Sequence, residues 1–299
     1  MSSFRRKPVA PADAPTVVEL VRALDEALLG SSDYTAADLD DEWRTFDAAA
    51  NAWLLLDGDA PVAYAQVDDR TDPPRADGYV HPDHFGRGAG AAIVAQTEEE
   101  LRGRGATTVR NAVLLADTRG QELMQGRGYR EVRRFSQMRI ELDGPPPLPS
   151  WPAGVVVAAF HERDGERFHA AYEDAFADHW GHTRRPFEEW RAEHMAGDDY
   201  APDLWTVVRA DGEIVAGSML VRERNGVAWV SRLFTVRDRR RRGLGEALLR
   251  DAFGKFWRAG RNIVGLGVDA QSDTGANRLY ERVGMHVHWG AVVYEKALV

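Results

Sequence analysis

Apolar positions recurring every three to four residues predict two helices early in the chain, over Asp13–Leu29 and about Ala36–Phe46, with Asp13 as the cap of the first. Shorter apolar runs predict strands at Ala52–Leu56 and Val62–Val67, followed by a Gly-rich turn at Phe85–Gly90. Residues 142–153, LDGPPPLPSWPA, carry too much proline to continue a helix or a central strand and read as a stiff extended linker. Beyond it the same order returns: a strand at Val155–Phe160 and helices at Gly165–Ala177 and Pro186–Met195. Strands follow at Trp205–Arg209, Ile214–Val221 and Val227–Val236, and then a Gly-rich turn at Arg240–Gly245. Each turn precedes a long helix, a strand, a short helix and a last strand.

The repeat can be registered by subtraction. Gly88 and Gly243 are 155 positions apart, and Leu123/Leu279 and Gly128/Gly284 are each 156 apart. A near-constant offset at three separate marks points to duplication of one domain. The length of 299 residues agrees with two domains. The expected boundaries are 1–141, a 142–153 linker, and 154–299.

Composition narrows the chemistry. With no cysteine, disulfides, thiolate metal sites and a cysteine nucleophile are excluded. A net charge of −9 disfavours a nucleic-acid partner and favours a small molecule. No run reaches the roughly 18 apolar residues of a membrane span, and the start lacks a signal-peptide core, so a cytoplasmic protein, monomeric or homodimeric, is expected.

Residues 235–260, TVRDRRRRGLGEALLRDAFGKFWRAG, join a strand through an arginine- and glycine-dense turn to an amphipathic helix. The first amides of such a helix lack intrahelical partners and face whatever anion lies there. Gly243 and Gly245 let a pyrophosphate approach, and Arg240, Arg241 and Arg242 add positive charge. The turn and its neighbours, Phe234, Thr235, Val236, Leu244 and Glu246, are the expected cofactor contacts. A solvated charge cluster is the alternative reading of Arg239–Arg242, and its place before a helix start argues against it.

This turn resembles the pyrophosphate loop [Q/R]-x-x-G-x-[G/A] of the GNAT N-acetyltransferase superfamily, matched by Arg240, Gly243 and Gly245. A second mark of that family, N-x-x-A-x-x-L-Y-x-x-x-G-[F/M], is matched at Ala276, Leu279, Tyr280, Gly284 and Met285, with Asp273 in place of the asparagine. The resemblance runs through nearly the whole chain, once per half. It implies an α/β fold of two tandem domains, each a mixed, mostly antiparallel sheet flanked by helices, with acetyl-CoA as acetyl donor to an amine in a ternary complex. It also implies that Tyr280 protonates the departing thiolate, and Asn277 falls in the same cofactor segment. Packing is the alternative role for Tyr280. The layout is similar to that of the tandem mycothiol synthases, which leaves a sugar-linked amine among the possible acceptors, beside drug amines, polyamines and protein N-termini.

In the first half the loop keeps Gly86, Arg87, Gly88, Ala89 and Gly90 after Val80. It has Phe85 in the polar position and Met124 where the tyrosine is expected. That half is expected to be catalytically degenerate while still able to present a phosphate loop. Val236 lies seven residues before Gly243 where Val80 lies eight before Gly88, so the second turn reads as one residue short. Which strand amide meets the acyl carbonyl, that of Val236 or of a neighbour, is left open. Asp269, at the end of an apolar strand, is the first candidate for a general base and Glu223 the second; a water chain is equally allowed. His179, Trp180 and His182 fall in the segment expected over the acceptor. The two histidines invite a metal, yet no third ligand follows at a convincing spacing, and no metal is expected. A non-catalytic acyl-CoA sensor remains the alternative to an enzyme.

Overall fold

The computed structural model describes residues 4–197, 199–272 and 274–298 and resolves into two compact units. The described residues of Met1–Phe135 and Trp289–Val299 form the first, and Ser136–His288 the second.

The first unit opens with β1 (Arg5–Pro8), α1 (Ala14–Leu29), α2 (Ala36–Thr45) and α3 (Ala48–Asn51). β2 (Ala52–Asp57), β3 (Ala60–Asp68) and β4 (Arg75–Val80) come next. Then follow α4 (Ala89–Gly103), β5 (Thr108–Leu114), α5 (Thr118–Gly126) and the start of β6 (Arg130–Glu141). Thr35 caps α2 reciprocally with Asp38, and Gly30 ends α1 in the left-handed region. Asp13 is not the side-chain cap of α1. It closes the preceding 3-10 turn, accepting from the Ala10 amide at 2.9 Å and from Lys7 at 2.6 Å.

The second unit has β7 (Val155–Ala159), α6 (Gly165–Phe176), α7 (Phe187–His194), β8 (Thr206–Ala210), β9 (Glu213–Arg224) and β10 (Val227–Thr235). α8 (Leu244–Arg258), β11 (Ile263–Asp269), α9 (Ala276–Arg282) and the start of β12 (His286–Ala297) complete it. Its strand order is β6-β11-β10-β9-β8-β7.

Chain order and packing part company at the last strand. From Ala291 to Ala297, β12 runs antiparallel to β5, from Leu114 back to Thr108, in the first unit's sheet. The end of β6 belongs to the second unit, where the Leu142 amide donates to the Asn262 carbonyl at 2.7 Å. The units are therefore drawn across the boundaries read at 141 and 154.

Each unit holds one feature that shapes a cleft. β4 and β5 run parallel and pair only at Arg75/Arg110 and Ala76/Asn111, and β10 and β11 pair only at Ala228/Val264 and Trp229/Gly265. Beyond those pairs the strands diverge, leaving backbone groups on the inner edges of β4 and β10 open to a ligand. α4 and α8 pack against these strands through Ile93, Val94 and Leu101, and through Leu244, Leu248, Leu249, Phe253 and Phe256.

Candidate active site

In the second unit β10 ends at Thr235, a 3-10 turn covers Arg237–Arg239, and Gly243 (φ 86°) caps α8 in the left-handed region. The first unit builds the same path: β4 ends at Val80, the turn covers Pro82–His84, and Gly88 (φ 91°) caps α4. Each element is offset by 155, so the equivalent of Val80 is Thr235 and that of Val236 is His81. The second turn is not one residue short.

The hydrogen bonds agree. The Val236 amide donates to Val215 O and the His81 amide to Val62 O, each at 2.9 Å. The Val236 amide is thus engaged by β9. The antiparallel register is regular from Arg232 to Thr235, so the N–H groups of Leu233 and Thr235 face the diverging side.

Gly245 and Gly90 sit where their helices meet the next one. A Cβ at Gly245 would come within 2.9 Å of Leu279 Cδ2, and one at Gly90 within 3.2 Å of Leu123 Cδ2. Glycine here permits close approach of α8 to α9 and of α4 to α5.

The arginines divide their work. Arg240 donates to the carbonyls of Thr235 (3.3 Å) and Ala175 (2.7 Å), tying the loop to β10 and to the end of α6. Arg239 pairs with Asp211 at 3.0 Å, and among the described residues Arg242 reaches only the Asp238 carbonyl at 3.1 Å. Arg241 is exposed, takes φ 62° and has no side-chain partner among the described residues. Net positive charge at the loop therefore comes from Arg241 and Arg242. Glu246 lies between Arg250 (2.9 Å) and Arg282 (3.3 Å).

Tyr280 is 8% exposed on α9, among Leu249, Phe253 and Val283. Its hydroxyl has no hydrogen-bond partner among the described residues, and burial pushes its pKa up to about 12. The phenol thus stays protonated at neutral pH. Its counterpart by the 156 offset, Met124, is buried on α5. Gly275 caps α9 ahead of Ala276, and Asn277 donates to the carbonyls of Asp269 (3.2 Å) and Ala270 (3.1 Å). Asp273 lies outside the described residues.

Asp269 is 3% exposed, and its Oδ1 accepts from the Gln271 amide at 2.9 Å, the geometry of a turn-closing aspartate. Glu223 lies at the other end of β9, beside the β9–β10 hairpin, paired with Arg261 beyond the far end of α8. The fifteen residues of α8 span about 22 Å, which separates Glu223 from the loop.

His182 Nε2 donates to the Glu173 carboxylate at 3.0 Å, and Glu173, only 3% exposed, also faces His169 (3.4 Å) and Arg184 (3.7 Å). His179 meets the Trp180 carbonyl at 3.3 Å and packs on Phe176. An Arg237–Asp178 ion pair ties this segment to the arginine-rich loop ahead of α8. Glu173, Tyr172 and Arg232 were missed from sequence. The one signal was for Glu173, a carboxylate on the buried face of α6, four residues after His169. No group of metal-ligating side chains is assembled among the described residues.

In the first unit Gly86, Gly88, Ala89 and Gly90 line a cavity of about 400 Å³ with Gly78, Val80, Asn111 and Met124. Asn111 is 5% exposed, and its Oδ1 has no hydrogen-bond partner among the described residues. Arg87 lies exposed beside the cavity.

Residues 17–129 and 159–285 each match the Acetyltransferase (GNAT) family, and the chain belongs to it. It is an acyltransferase of that family, whose members use acetyl-CoA. The chain is similar to a mycothiol acetyltransferase of Thermobispora bispora, 30% identical over 295 residues, covering 92% of this chain and 90% of that one. One from Streptomyces griseus is 31% identical, covering 83% and 80%. A GCN5-related N-acetyltransferase from Sphaerobacter thermophilus has 34% identity and a TM-score of 0.89 over 99% of this chain and 96% of that one. A tandem GNAT protein of the clavulanic acid pathway, 17% identical with a TM-score of 0.73 over 99% of both chains, shares the fold. No helix among the described residues is long and apolar enough to cross a membrane.

Proposed function

We propose that the second unit transfers acetyl from acetyl-CoA directly to a primary amine of a small molecule, both substrates being bound at once. The observation that carries this is the pairing of an open helix-N-terminal loop, flanked by Arg241 and Arg242, with a buried, unpartnered phenol at Tyr280. The loop amides take the pyrophosphate, and Gly243, Leu244 and Gly245 offer them without side chains in the way. The Thr235 amide polarises the acyl carbonyl. Tyr280 gives its proton to the departing thiolate. Glu223 is too far from the loop for the base, and the Asp269 carboxylate is held in its turn, so the amine proton leaves by His182 or through water.

The first unit holds CoA between Val80 and the 86–90 loop without turnover of its own, because Met124 supplies no proton. The mycothiol acetyltransferase relatives favour a sugar-linked amine as acceptor. The test is thiol release from acetyl-CoA across amino sugars, polyamines and peptide N-termini. Amine-dependent release is expected. Binding of acetyl-CoA with no release for any amine would leave a sensor instead.

A further inference from the structure

Resting on that reading of the second unit, we propose that its acceptor carries an oxyanion, a carboxylate or a phosphate, which the guanidinium of Arg232 holds. Arg232 stands on β10 two residues before Phe234, partly buried, on the face that meets α6. Its Nε donates to the Tyr172 hydroxyl at 3.4 Å and one terminal nitrogen to the Ser231 carbonyl at 2.8 Å. Both partners are neutral. No carboxylate pairs with it among the described residues, whereas Arg209, Arg222 and Arg237 have Asp164, Asp203 and Asp178. The buried carboxylate on α6, Glu173, is already engaged by His182.

A half-buried guanidinium without a counter-ion is costly in the free protein, and a bound anion removes that cost. The other unit sharpens the point. The 155 offset sets Asp77 against Arg232, and Asp77 has its own arginine, Arg75, at 3.0 Å and Gln66 at 3.4 Å. One strand position thus carries a compensated acid in the first unit and an uncompensated cation in the second. Arg232 lies three residues from Thr235, about 10 Å along the strand, which fits an amino-sugar phosphate or an amino acid in size.

The experiment is calorimetric titration of inorganic phosphate and, separately, acetate into protein saturated with CoA, so that the pyrophosphate loop is occupied. One anion is expected to bind in the millimolar range, phosphate marking a phosphorylated acceptor and acetate a carboxylate. Arg232→Gln should weaken it at least about tenfold, the share of one charge-assisted contact. Arg232→Lys should retain part of it, with CoA affinity unchanged in both variants. Anion binding lost with Arg232 supports the site even if thiol release fails, which would be a failure of the transfer reading alone. No binding of either anion, or equal binding by Arg232→Gln, overturns it, including where neutral amines are acetylated normally.

Discussion

The two glycine-containing loops ahead of α4 and α8 share a backbone and differ in their side chains. Both run from strand end through a 3-10 turn to a left-handed glycine, and the second left-handed position is Gly86 (φ 74°) in one and Arg241 (φ 62°) in the other. Phe85 answers to Arg240, and Met124 to Tyr280. The loop path is required for the strand to feed the helix at all, so it survives in both copies. Side chains are not dictated by that path, and there the copies have separated. Substituting the shared glycine by aspartate tests this most severely. An added Cβ meets nothing closer than Pro152 at 3.9 Å at Gly243, and nothing within 4 Å at Gly88, so both variants should fold, at a strain of about 1 kcal/mol. Gly243→Asp should abolish acetyl-CoA binding at the second unit and turnover with it, because the carboxylate repels the pyrophosphate. Gly88→Asp should leave kcat within about threefold, since on the proposed division of roles a ligand held by the first unit adds no transition-state contact. Equal loss of turnover in both would end the division of roles.

The next contrast is Tyr280 against Met124. Tyr280→Phe should lower kcat on the order of a hundredfold with little change in acetyl-CoA affinity. With the phenol pushed up to about 12, its ionisation should cause no fall in rate between pH 7 and 10 in the parent. A full-speed phenylalanine variant would reduce Tyr280 to packing among Leu249 and Phe253.

How much of this was legible depends on how local each cause is. Positive φ at Gly88 and Gly243, and the close contacts of Gly90 and Gly245 with Leu123 and Leu279, leave glycines at fixed spacing, and these registered the repeat. Thr35 and Asp38 cap α2 within four residues. The partner of β12 is different, because nothing in its own twelve residues says that β5, over 170 positions earlier, lies beside it. The same holds for Arg240, whose guanidinium looked free for a phosphate but reaches Ala175, 65 residues away. Glu223 misled because a carboxylate near a strand end was counted without knowing which end of the sheet it occupied. The turn that looked one residue short was a misalignment of Val236 with Val80, resolved once both strand-end amides could be seen.

Acid should separate the units by a smaller amount. Burial holds the His194 imidazole down at about 4, whereas burial raises the Glu42 carboxyl in the first unit. A depressed histidine contributes stability above its unfolded value near 6.5 and loses it as pH falls towards 4; a raised carboxyl contributes stability below its unfolded value and loses it as pH rises. Between pH 7.5 and 5, the second unit should therefore lose about 1–2 kcal/mol, allowing for solvent at the rim of His194. The carboxylates held low by ion pairs in the first unit, such as Glu98 and Glu100, begin to yield only below that window. Hydrogen exchange at pH 5 and 7.5 should show α6 and α7 opening more at low pH, and His194→Gln should flatten the change. Parallel loosening of α1 and α4 over this range would contradict it.

The smallest contrast lies in the two helix-packing glycines. Alanine is a better helix former than glycine by about 1 kcal/mol, a gain available at both Gly90 and Gly245 in the first turn of α4 and α8. Against it stands the contact each new methyl would make. At Gly90 it meets Leu123 Cδ2 at 3.2 Å, which a few tenths of an ångström of movement relieves. At Gly245 it meets Leu279 Cδ2 at 2.9 Å, so the leucine end must turn away, and overpacking of that kind costs about 1 kcal/mol or more. Gly90→Ala should accordingly be neutral or slightly stabilising in denaturant unfolding, and Gly245→Ala neutral or destabilising by up to about 1 kcal/mol. Leu279 is the residue beside Tyr280, so its displacement should also raise the acetyl-CoA KM of Gly245→Ala two- to threefold, on the order of 0.5 kcal/mol of uniform binding. Gly90→Ala should leave KM alone. Were Gly90→Ala the less stable of the two, the packing of α4 on α5 would be the tighter one, and the likeness of the two loops would stop at the backbone.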